Sequence, residues 1–205
     1  MTTTTQTSTQ TSTQTTTRST GSETARVPLE HSGMLATIMK AYSRRQFGLE
    51  AEPMLALLHQ RKVLTAVSRF GMAAQKWSRL EDGLKELANL SVASQIGCSW
   101  CMDFGYYLSR TNGMPIEKLE QVTSWRESDV YTPLERKVLE YAEAMTTTPP
   151  TVTDEMVESL RSDLDDAQLV ELTGMIAAEN LFSRTNSALG LTNQGFKTKC
   201  DLTPR

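Results

Sequence analysis

Glu86-Leu-Ala-Asn-Leu-Ser-Val-Ala-Ser-Gln-Ile-Gly97-Cys98-Ser-Trp-Cys101-Met-Asp103 is the stretch around which the chain is organised. Leu84, Leu87, Leu90 and Ala93 recur with the period of an α-helix, Gly97 stops that helix, and Cys98 opens another through Cys101, Phe104 and Leu108. Two thiols at i and i+3 on a first helical turn can meet, and the unpaired N–H groups of a helix N-terminus stabilise a thiolate. Glu86 lies twelve residues before Cys98, in a helix that becomes more apolar after it. Buried near the thiols, its carboxyl would have a raised pKa and could accept a thiol proton.

Working outward, helical spacing recurs on both sides. Leu35, Ile38, Met39 and Tyr42 form one period that Gly48 stops; Met54 to Leu58 and Val63 to Phe70 form two more, and Met72 to Trp77 suits a short further piece. Asp82 is placed to cap the helix that carries Glu86. Downstream, Asn112-Gly113 closes the Cys98 helix and Pro115 starts the next. Thr132-Pro-Leu-Glu135 reads as a capping box, Pro149-Pro150 as a linker, and Thr153-Asp154-Glu155 as a cap. Asp165 to Gln168 caps the last long helix, with Leu169, Leu172, Ile176, Leu181 and Ala188 in period, ending at Gly190. No alternating β-branched run competes with these periods. The expectation is an all-α fold of about eight helices on the period count.

Composition narrows the class. The first 20 residues hold 12 Thr, so residues 1–25 read as a disordered Thr/Ser/Gln-rich tail that cannot bury enough apolar surface to offset its ordering entropy. Residues 26–205 are long enough for one domain with a sizeable core. The tail lacks the basic start and apolar core of a secretory signal, and no apolar run approaches the length of a membrane span. A net charge of −3 with scattered Lys and Arg gives no footprint for nucleic acid. Three cysteines, two of them close together, fit a cytoplasmic protein with one working thiol pair better than a secreted disulfide framework.

Other residues sort by chemistry. A zinc site would need two ligands beyond the thiol pair, and only Cys200, His31 and His59 remain, none in paired spacing. No metal or organic cofactor is expected. His59 reads as a residue at a helix end, and Cys200 as an incidental thiol in a polar tail. Asp103 reads as a surface residue, although a hydrogen bond or a cap is open to it. Glu179, Asn180, Arg184 and Asn186 form a polar cluster on an otherwise apolar helix, read as a buried hydrogen-bonded network or a subunit contact. Trp77, Trp100 and Trp125 read as core or interface anchors.

Glu86, eleven intervening residues and Cys98-Ser-Trp-Cys101 in a helical setting resemble the carboxymuconolactone decarboxylase-like family, which includes alkylhydroperoxidase D. Phe70-Gly-Met-Ala-Ala-Gln-Lys-Trp77 and the closing stretch Glu179 to Phe196 are similar to other parts of that family. The resemblance implies a single multi-helical domain that assembles into homo-oligomers. It implies that Cys101 attacks peroxide, that Cys98 resolves the sulfenic acid into a disulfide, and that Glu86 heads a proton relay. A peroxide or small disulfide would be the substrate, and a protein or small-molecule thiol the reductant. The family's peroxidase has histidines where this chain has Trp100 and Gly105, so a relay through imidazoles is absent here. Water, Asp103 or a tyrosine (Tyr106, Tyr107) could bridge the gap. Two competing readings are a lactone- or decarboxylation-type enzyme on the same scaffold and a non-catalytic helical oligomer with a vestigial thiol pair.

Overall fold

The computed structural model describes residues 23–201, and the tail expected over residues 1–25 lies almost wholly outside them. Among the described residues the fold is all-helical, with no strand. Ten α-helices run in order: α1 Met34–Phe47, α2 Glu52–Leu57, α3 Arg61–Ala74, α4 Asp82–Ile96, α5 Ser99–Thr111, α6 Ile116–Gln121, α7 Pro133–Thr146, α8 Asp154–Arg161, α9 Asp166–Ala188 and α10 Phe196–Asp201. A 3₁₀ helix, Val122–Glu127, joins α6 to the loop before α7.

The count exceeds the eight expected, for local reasons. The 3₁₀ segment continues α6, and α10 lies beyond Gly190, where its six residues show no apolar period. The short helix expected over Met72 to Trp77 is instead the end of α3, which runs unbroken to Ala74. Glu81, not Asp82, is the N-cap of α4; Asp82 sits in the first turn, its carboxylate 2.8 Å from the Lys85 ammonium.

Helix α4 is the centre of the bundle. Leu87, Ala88, Leu90, Ser91, Val92 and Ala93 are all buried, so the helix is covered on every side. A helix apolar all round must be surrounded, and α4 is flanked by α5, α7 and α9. One core joins Leu84, Ala88 and Val92 to Val138, Leu160, Leu172 and Ile176 of α7, α8 and α9. A second joins Leu87 and Leu90 to Tyr106, Leu119 and Trp125. The third holds the thiols: Cys98, Trp100 and Cys101 pack with Leu55, Leu191 and Phe196. Its entry strap starts early, since Thr24 donates to the Gly190 carbonyl at 2.6 Å and Ala25 packs against this core.

Not every apolar period faces inward. Ile38 and Tyr42 of α1 and Leu181 of α9, the last expected in the buried stripe, are exposed. Among the described residues, no helix is long and apolar enough to cross a membrane.

Candidate functional site

Gly97 adopts the left-handed conformation (φ 76°) that ends α4 and turns the chain straight into α5. Cys98 becomes the N-cap of α5, and its sulfur accepts the backbone N–H of Cys101 at 3.2 Å. Cys98 and Cys101 are joined as a disulfide with their Cα atoms 5.3 Å apart. The two sulfurs have different surroundings. Cys98 is 1 % exposed and packed in the core, whereas Cys101, at 7 %, reaches the wall of a cavity of about 510 Å³.

That cavity lies between the arm formed by α1, α2 and α3 and the inner helices α4, α5 and α9. Its walls are mainly apolar, with Phe47, Leu64, Trp100, Phe104 and Phe182 among them. Glu86 reaches the same cavity from α4, and Asn112 at the end of α5 donates to its carboxylate at 2.6 Å. Burial pushes the Glu86 carboxyl above its ordinary pKa, against the lowering effect of hydrogen bonds from Asn112 and Ser109. Of the three residues singled out from the sequence, Cys98 and Cys101 are bonded to each other at the start of α5, and Glu86 lines the same cavity as Cys101 from α4, held by Asn112 at the far end of α5.

Two further groups enter from α9. Asn186, buried, donates its side-chain N–H to Cys101 Sγ at 3.4 Å. Glu179 also lines the cavity; burial pushes its carboxyl up to about 7, only partly offset by a hydrogen bond from Ser183 at 2.6 Å. The polar cluster therefore splits by helix face. Asn180 and Arg184 bond to Thr146 at the end of α7, the structural network expected of all four, while Glu179 and Asn186 face the cavity. The spacing held a signal. Met175, Ala178, Glu179, Phe182 and Asn186 are one helical face, mixing bulky apolar groups with a carboxylate and an amide.

Asp103 is a correction to the sequence reading. It is buried, and its carboxylate accepts the backbone N–H groups of Gln194, Phe196 and Lys197 at 2.8–3.0 Å, which pins the start of α10 against α5. Gln194 in turn accepts the Trp100 indole N–H at 2.7 Å. These bonds fix the first turn of α5 and commit Asp103 to structure. Tyr107 stacks with Phe104, and the Tyr106 ring lies beneath the Lys197 ammonium. Gly105 lines the cavity with Leu90 alongside: a Cβ there would come within 3.0 Å of Leu90 Cδ2. The two histidines meet each other, ring centroids 4.6 Å apart, and His59 bonds to the Pro28 carbonyl just past the end of α2. Among the described residues no three His, Cys, Asp or Glu side chains gather as a metal-binding group.

An all-helical subunit with a Cys-x-x-Cys disulfide at the start of a helix beside an apolar cavity has the alkylhydroperoxidase D-like architecture. The chain belongs to the carboxymuconolactone decarboxylase family: residues 61–144 match that family. It is 36 % identical over 130 residues to the uncharacterised protein YnjA of Escherichia coli, an alignment covering 63 % of this chain and 71 % of YnjA. A structure from Agrobacterium tumefaciens, of a protein of unknown function with a suggested antioxidant-defence role as AhpD, superposes with a TM-score of 0.64 at 28 % identity. It covers 67 % of this chain and 94 % of its own. The alkylhydroperoxidase AhpD core of a peroxidase-related protein from Ralstonia eutropha superposes at 0.77 with 18 % identity, over 90 % of this chain and all of that one, which is a likeness of fold.

Proposed function

We propose that this chain is a thiol-dependent peroxide reductase in which Cys101 is the peroxidatic thiol, Cys98 the resolving thiol and Glu86 the proton carrier. The observation that carries the reading is the asymmetry of the disulfide: Cys101 lines the apolar cavity that Glu86 also lines, and Cys98 is sealed in the core. The suggested antioxidant-defence role of the Agrobacterium tumefaciens relative points the same way.

In the reduced enzyme, Cys101 gives its proton to Glu86 and attacks the terminal oxygen of a hydroperoxide. The O–O bond breaks, the sulfur is oxidised to a sulfenic acid, and the departing alkoxide takes the proton back from Glu86 and leaves as an alcohol. Cys98 then displaces hydroxide from the Cys101 sulfur, giving one water and the disulfide. Two thiol equivalents from a reductant restore the pair and become a disulfide themselves. A carboxyl whose pKa lies above the ordinary range is suited to both halves of this proton transfer. Glu86 and Cys101 line one cavity, and the proton passes between them across it rather than through an imidazole. We place the enzyme in the cytoplasm as a homo-oligomer.

Intact mass with thiol blocking tests this. Fully reduced protein given one equivalent of hydroperoxide should form the Cys98–Cys101 disulfide within seconds, and Cys101→Ser should not. No oxidation on that timescale removes the peroxidase reading. A second reading, proton-transfer chemistry of the decarboxylase kind, draws on two cavity carboxyls with raised pKa, Glu86 and Glu179. It predicts activity that survives replacement of both cysteines by serine.

A further inference from the structure

The same helix end that brings the thiols together creates a problem for them. In a reduced Cys-x-x-Cys pair near neutral pH one sulfur carries the charge and the other keeps its proton. The backbone N–H of Cys101 points at Cys98 Sγ, 3.2 Å away, and Cys98 is the N-cap of a 13-residue helix. Both features favour the charge on Cys98, the sulfur that is sealed in the core and cannot meet a substrate. Left to α5 alone, the wrong thiol would be the nucleophile.

We propose that Asn186 reverses this preference, acting as the positioning residue that draws the thiolate onto Cys101. The inference rests on the assignment of Cys101 as the reacting thiol. Asn186 is 5 % exposed, comes from α9 rather than from the thiol helix, and has its amide nitrogen 3.4 Å from Cys101 Sγ. An amide cannot take up the thiol proton, so its contribution is the N–H dipole aimed at the sulfur. The interaction strengthens as the sulfur becomes charged, and with both residues buried it is stronger than it would be in water. Of the two amide atoms, the nitrogen is the one that a sulfur lone pair can accept from; the oxygen would be repelled. Asn186 thus supplies, from a different helix, the polar support for the thiolate that a histidine at Gly105 or Trp100 would otherwise give. Hydrogen bonds to charged groups are strong enough to move the thiolate fraction about tenfold or more.

The test uses the full chain with Cys98→Ser and Cys200→Ser, so that Cys101 is the single thiol, and follows the iodoacetamide alkylation rate against pH. With Asn186 present, the midpoint should lie below the ordinary thiol value of about 8.5. Asn186→Leu should raise the midpoint and slow alkylation at neutral pH at least tenfold. Asn186→Asp keeps the size and shape of the side chain but replaces the donor with a negative charge, and should raise the midpoint further still. Asn186→His, which restores a donor, should recover part of the rate. The Asp variant rises under either account, because a like charge beside the sulfur disfavours the thiolate, so the Leu variant decides: a packing role leaves its midpoint at the parent value. A Leu variant whose midpoint matches the parent overturns the proposal. Alkylation uses no peroxide, so these outcomes stand apart from the peroxidase assay. A protein inert to hydroperoxide could still show the Asn186 effect, and an active peroxidase could fail to show it.

Discussion

Glu171 and Glu179 are two carboxylates eight residues apart on α9, the first buried and the second half-buried at the cavity wall, and they have opposite characters. Glu171 accepts the backbone N–H groups of Arg79 and Leu80, at 2.8 and 3.3 Å, and lies 3.2 Å from the Lys85 ammonium. Burial alone would raise its pKa, but these donors outweigh burial and hold it below the ordinary range. Lys85 is raised in step: burial pushes its pKa down, and Asp82 and Glu171 more than restore it. Glu179 has Ser183 as its donor and an apolar cavity in front of it, and is pushed up to about 7. The difference is one of donor supply. A carboxylate given three donors is fixed as an anion and joins elements together; one given a single donor keeps a proton to exchange. The first is architecture and the second is chemistry, although the sequence writes both as Glu in an apolar helix.

The largest effect should come from breaking the architectural member. Glu171→Ala leaves two backbone N–H groups without their acceptor and Lys85, whose side chain is 9 % exposed, with only Asp82 and the Trp77 carbonyl. Urea unfolding should show a loss of about 3–5 kcal/mol, the usual cost of stranding one partner of a buried pair. A loss under 1 kcal/mol would mean that Lys85 is supported without Glu171. The next effect falls on rate. Glu86→Gln keeps an acceptor for Asn112 but removes the exchangeable proton, so peroxide-driven disulfide formation should slow by about 10²-fold with stability little changed. If the rate holds, the proton carrier is not Glu86, and Glu179 becomes the carboxyl to examine.

The legible parts of the molecule are those in which local sequence and tertiary environment agree. The break at Gly97, the capping box at Thr132, the cap at Asp165 and the Cys98 helix start depend on neighbours within four residues, and each stands in the structure as read. Helix α10 was not legible. Phe196-Lys-Thr-Lys-Cys-Asp201 has no period, and its first N–H groups are held by Asp103 from α5, 93 and 94 residues away in sequence for Phe196 and Lys197. For the same reason Asp103 read as a surface residue: its partners are backbone groups that no side-chain pattern announces. The site divides similarly. Glu86 and the thiols share one local segment, whereas Glu179 and Asn186 matter only because the face of α9 they share turns toward Cys101 rather than toward Thr146.

Glu179 itself provides a smaller, pH-dependent test. Its folded-state pKa, about 7, lies above the ordinary 4.5, so between these values the native state holds a proton that the unfolded chain has lost. Stability from this group is complete below about 4.5 and is lost as pH rises through 7. Glu179→Gln should therefore flatten the pH dependence of the urea midpoint and gain on the parent above pH 7, by on the order of 1 kcal/mol once water in the cavity is allowed for. Equal slopes in the two proteins would place Glu179 among the fixed anions and dissolve the contrast with Glu171.

The finest distinction lies in Ser183→Ala, which removes the hydrogen bond that lowers the Glu179 pKa. Ser183 is fully buried, so the change should cost about 1 kcal/mol or less in stability at pH 5, where Glu179 is protonated in either protein. The informative quantity is the titration of Glu179 followed by carboxyl NMR. With its donor gone the carboxyl should titrate at higher pH than in the parent, because burial then acts unopposed. A downward move would show that Glu179 has a second donor in solution, and that its proton is held by more than the apolar walls of the cavity.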